Sequence, residues 1–132
     1  MRNYSLRITY ILFIILNIFS CKDSSILATT KDDDAKELKA LLNEIEKMSD
    51  GITCANASDW RIVPIGSKPC GGATHFVLYS VKIDTSLFLQ KVENYTQKQK
   101  AFNIKYQMSS DCSTIIAPKS VECVNEKPAL IY

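Results

Sequence analysis

Histidine is nearly missing from this chain: among 132 residues only His75 carries an imidazole. That shortage excludes metal centres built on histidine, and the five cysteines do not make up for it. After Cys21 they stand at positions 54, 70, 112 and 123, with separations of 16, 42 and 11. Zinc sites draw on ligands paired at short spacing such as C-x-x-C, so neither a metal nor a cofactor is expected. Glycine and proline number four each. No G-x-x-x-x-G-K-[ST] segment is present, so a phosphate loop of that type is excluded. There are no internal repeats. No strong excess of one charge exists either, with 16 Lys+Arg against 14 Asp+Glu. The most apolar stretch, Ile8 to Ile18, falls short of the roughly 20 residues that a membrane-spanning helix needs.

That stretch fits an export signal instead. Arg2 and Arg7 give a short positive start, the apolar run follows, and Ser20 is a small residue directly before Cys21. The reading is a lipoprotein signal over residues 1–20, cut before Cys21, which then carries acyl chains on the new N-terminus. An ordinary secretory signal cut near Ser20 is the alternative; Phe19, and the absence of a Leu three residues before Cys21, depart from the usual lipoprotein pattern. Residues 21–34 (CKDSSILATTKDDD) are polar and short of large apolar groups, which suits a flexible tether. Losing Arg2 and Arg7 leaves 14 basic against 14 acidic residues, so a basic nucleic-acid face is not expected.

The rest, residues 35–132, has the length of one small domain. Leu38, Leu41, Leu42, Ile45 and Met48 recur at three-and-four spacing and predict a helix over 35–48. Asp32, Asp33 and Asp34 sit at its dipole-favoured start. Gly51 is suited to the left-handed position that stops it. Its charged face, with Glu37 and Glu44 among others, reads as solvated. WRIVPI (60–65) and HFVLYSVKI (75–83) read as strands, with Pro64 marking an edge or a bulge. Asp84 is a strong N-cap for a helix over 85–106. Phe88, Val92, Tyr95, Phe102 and Tyr106 form its buried stripe, which Gln99 interrupts. Short strands are expected over 113–117, 121–124 and 129–132, the last two as a hairpin turning through Asn125 to Pro128. The order predicts an α+β domain: a small antiparallel sheet with two helices packed on one face.

Four cysteines outside the cytoplasm imply two disulfides stapling that domain. If strand 60–65 runs up, strand 75–83 runs down and helix 85–106 runs up again, which brings Cys70 and Cys112 to the same end. Cys70–Cys112 with Cys54–Cys123 is preferred, and the sequential pairing Cys54–Cys70 with Cys112–Cys123 stays open.

The most distinctive local sequence is GSKPCGGAT (66–74). Gly71 and Gly72 could offer backbone N–H groups to an anion beside Lys68. The plainer reading is that these glycines let the chain turn tightly beside a bridged Cys70. Gly66, Ser67, Lys68, Gly71, Gly72 and His75 therefore form a candidate partner-binding loop rather than a catalytic set. A small hydrolase using His75 is the enzyme alternative, since imidazole suits proton exchange near neutral pH. It needs Asp111 or Ser113 brought to the ring. Trp60, Tyr79, Tyr95 and Tyr106 read as core rather than as an exposed platform. The Asn56-Ala57-Ser58 and Asn94-Tyr95-Thr96 sequons carry little meaning in a lipoprotein of this type. Tyr132 ends a final strand whose free edge is open to a partner.

PIGSKPCGG at 64–72, Tyr79-Ser80, Ser110-Asp111-Cys112-Ser113 and Val121-Glu122-Cys123-Val124-Asn125 together resemble a group of small Bacteroidetes lipoproteins. These carry a CGG segment, a Tyr-Ser strand, one long helix and a late S-D-C…V-x-C pair. The resemblance spans residues 54–132, and this chain differs in having Trp60 and in lacking a cysteine near Pro128. Lys22-Asp23 after Cys21 is similar to the charged signals that send such lipoproteins to the cell surface. The resemblance implies a lipid-anchored envelope protein, at the outer membrane or cell surface, and brings no activity with it. The expected function is a non-enzymatic binding module, with an inhibitor or immunity-type protein against a secreted hydrolase or toxin as one version. A purely structural envelope protein is the third reading.

Overall fold

A computed structural model describes residues 29–132. The signal segment and Cys21 lie outside the described residues. The elements run α1 (Lys31–Lys47), a 3-10 turn (Ala57–Asp59), β1 (Trp60–Ile65), β2 (His75–Ser80), α2 (Thr85–Lys105), β3 (Ser120–Val124) and β4 (Lys127–Ile131). The class is α+β, with both expected disulfides formed, Cys54–Cys123 and Cys70–Cys112. The strands make two separate antiparallel hairpins, β1–β2 and β3–β4, rather than one sheet.

Local chemistry accounts for the helix limits. Thr30 and Asp33 form a capping box, so α1 begins at Lys31 rather than at 35 and takes in Asp32 to Asp34 from the expected tether. Asp84 accepts from the Leu87 N–H at 2.9 Å and starts α2 where expected. Gly51 does take a left-handed φ of 79°, but three residues beyond Met48, the actual C-cap, so it shapes the following turn.

The core forms where α1 and α2 cover one face of the first hairpin. Ile45 of α1, Ile65 and Val77 of the strands, and Phe88, Val92 and Tyr95 of α2 are its buried residues. Tyr79 stacks on Phe88 with ring centroids 4.7 Å apart. Trp60 is buried at the start of β1. The helices run antiparallel, as three ion pairs along their seam show: Asp34–Lys105, Glu37–Lys98 and Glu44–Lys91, at 2.6–2.7 Å. Glu37 and Glu44 thus reach across to α2 instead of only facing solvent. Such exposed pairs contribute about 0–1 kcal/mol each and mainly fix register. Ser80, fully buried, closes the far end by donating its N–H to the Ser49 hydroxyl.

Three expected strands changed, the first being 75–83, which ends at Ser80 as the Ile83 N–H turns back to the Ser80 carbonyl. Residues 113–117 form none. Cys112 has a φ of 54° and Lys68 takes the Ser113 carbonyl that a ladder would use. The second hairpin turns tightly at Asn125-Glu126, both with positive φ, and Pro128 lies inside β4 opposite Cys123. Two left-handed residues in a two-residue turn match the right-handed twist of the strands. The Cys54 N–H donates to the Glu126 carbonyl and, with the disulfide, pins this hairpin to the rest.

Candidate functional site

Loop 66–74 is held from three sides. Pro69 and Cys70 occupy the centre of a β-turn closed by the Gly71 N–H on the Lys68 carbonyl, and the Lys68 N–H donates back to the Gly72 carbonyl. On the second side a polar row on α2 receives the loop's backbone. Thr96 Oγ1 accepts from Gly66 N–H (3.0 Å), Gln99 Oε1 accepts from Ser67 N–H (2.7 Å), and Asn103 Nδ2 donates to the Ser67 carbonyl (2.7 Å). Gly66 is required here: its φ is 82°, and a Cβ would overlap Thr74 Oγ1 and Gln99 Oε1. The third side is the Cys70–Cys112 bridge with Lys68, whose ammonium donates to the Ser113 carbonyl at 2.6 Å and lies 3.9 Å from Asp111.

This arrangement bears on both readings of the glycines. Gly71 and Gly72 have φ of 96° and 82°, and the Gly71 N–H and the Gly72 carbonyl are taken up within the loop's own turn. Lys68 is committed to the 111–113 segment. The Ser113 hydroxyl donates to Asp111 at 2.9 Å, and its hydrogen bonds, side chain first and then backbone N–H, hold the Asp111 carboxyl below its usual range. His75 pairs through Nδ1 with the Thr74 hydroxyl (3.0 Å), which also donates to the Ile65 carbonyl. Neither Asp111 nor Ser113 makes a hydrogen bond to His75. The constellation required by the hydrolase reading is not assembled in this structure.

The loop stands between two open clefts. One, of about 370 Å³, is lined by Lys68, Gly72, Phe76, Ser113, Ile115 and the Cys70–Cys112 bridge. The other, of about 490 Å³, lies between the loop and α2, beside Pro64, Ala73, Leu89 and Thr96. The loop binds the C-terminal half of α2, so it lies at the end of the domain where Thr29 meets Lys105. The second hairpin and Cys54–Cys123 lie toward the opposite end.

Thr96, Gln99 and Asn103 were not recognised in the sequence as holding this loop. Their three-and-four spacing is legible in the sequence, but a polar row beside an apolar helix stripe is ordinarily solvated and does not mark a docking face. Among the described residues no group of three or more His, Cys, Asp or Glu is gathered to hold a metal, and no helix is long and apolar enough to cross a membrane. No protein-family model, curated protein or solved structure matches the chain.

Proposed function

We propose that this chain is a lipid-anchored envelope protein of the Bacteroidetes type. Its stapled domain binds a protein partner through loop 66–74 and does no chemistry of its own. The observation that carries this reading is the pre-ordering of the loop by the helix row, the β-turn and the Cys70–Cys112 bridge. A loop already fixed in one shape loses little conformational freedom on binding, which is what insertion into a partner's cleft requires. An inhibitor or immunity-type role is the form of binding that this geometry suits. Anchorage at Cys21 supports a location for the encounter. The eight Cα–Cα steps from Cys21 to Thr29 reach at most about 30 Å, so the loop's end of the domain would work close to the membrane.

Site-specific photo-crosslinking on intact cells tests the reading. A crosslinker at Pro69 should capture one defined envelope or secreted protein, and a crosslinker at Lys39, on the exposed side of α1, should not. Equal capture from both positions, or none from Pro69, would remove the loop as a binding element.

A further inference from the structure

The two disulfides differ in how far a thiol can reach them. Cys54 is 2 % exposed with its backbone pinned to the second hairpin, and its partner Cys123 is half-buried. Cys70 and Cys112 are both exposed, at the wall of the 370 Å³ cleft. Thiol–disulfide exchange needs a thiolate to approach a sulfur directly, so access separates the two bridges strongly. Backbone conformation adds to this. Cys112 is a non-glycine residue at φ 54°, a conformation that is costly unless its surroundings enforce it. It lies in the stretch between α2 and β3, which has no regular secondary structure and can relax once released. The other attachments of loop 66–74, to Thr96, Gln99 and Asn103, do not involve the sulfurs. Opening the bridge therefore frees one wall of the cleft without removing the core.

We infer that Cys70–Cys112 is a thiol-exchange site whose partner class is a dithiol, either a small molecule or a reduced C-x-x-C protein. A thiolate of the dithiol attacks one sulfur of the bridge. The Cys70–Cys112 bond breaks, a mixed disulfide forms, and the other cysteine leaves as a thiolate that takes a proton from water. The second thiol of the dithiol then attacks the mixed disulfide, closes its own S–S bond and releases the second cysteine. Two electrons pass from the dithiol to the bridge. The Ser110 carbonyl, 4.0 Å from Cys70 Sγ and 3.7 Å from Cys112 Sγ, is placed to accept the S–H groups so formed. This inference does not depend on the partner-binding reading.

The test is timed reduction of the full chain by dithiothreitol under native conditions, with iodoacetamide quenching and peptide mass mapping. Cys70 and Cys112 should be alkylated at least about tenfold faster than Cys54 and Cys123, as expected when access governs exchange. The Cys70→Ser/Cys112→Ser double variant should keep the fluorescence of buried Trp60 and a cooperative melt. Equal alkylation rates, earlier labelling of Cys54 and Cys123, or a double variant without a folded core would each overturn the inference.

Discussion

Alanine at Gly66 probes how the loop is held, because Gly71 and Gly72 supply internal controls. All three glycines have φ between 82° and 96°, so each alanine variant carries the left-handed backbone penalty of about 1–2 kcal/mol. Only at Gly66 is the space for a Cβ already filled, by Thr74 Oγ1 and Gln99 Oε1. A methyl group there must displace Gln99, which leaves the half-buried Ser67 N–H without its acceptor, and must push Thr74 off the Ile65 carbonyl. An orphaned buried donor costs about 1–3 kcal/mol, so Gly66→Ala should destabilise by about 2–5 kcal/mol. Gly71→Ala and Gly72→Ala should stay near the backbone penalty alone. Urea unfolding of the oxidised proteins, followed by Trp60 fluorescence, measures the difference as a shift in midpoint at constant slope. If Gly66→Ala cost no more than Gly71→Ala, the docking of loop 66–74 on α2 would be wrong.

Phe88 is fully buried against Tyr79, and Phe88→Ala should cost about 3–5 kcal/mol. For a domain near 100 residues this lowers the melting temperature by about 15 °C or more, readable by calorimetry. Asp34, bonded first to Lys105 and also to Tyr106, has its pKa lowered from 3.8 to about 2. Its folded value lies below its unfolded one, so its contribution is present above about pH 4 and is lost as pH falls toward 2. Asp34→Asn should therefore flatten the stability-versus-pH curve in that window and leave its shape near neutrality unchanged. An unaltered acid limb in urea titrations would show that the cross-helix pair does not report on folding.

Much of the fold could be read locally. Apolar stripes at helical spacing, the Asp84 cap and the aromatic, β-branched run from His75 act within a few residues, and α2 and the first hairpin followed from them. The start of α1 is equally local, set by the capping box of Thr30 and Asp33 within the acidic run. The 113–117 segment was different in kind. Its residues favour a strand, and a distant lysine and a disulfide overrode that preference. The polar row at Thr96, Gln99 and Asn103 shows the same limit, since a polar helix face is ordinarily solvated and does not mark a docking face.

By itself the sequence determined the α+β class, the helix stripes and an even cysteine set to be paired. Each rests on short-range periodicity or on counting. Only the tertiary structure decided that the strands split into two hairpins and that Lys68 turns to Ser113 and Asp111. It also decided that Cys54 is buried while Cys70 and Cys112 line a cleft. Those outcomes depend on which surfaces meet after the chain closes loops of 42 and 69 residues, and no local preference encodes a meeting at that distance.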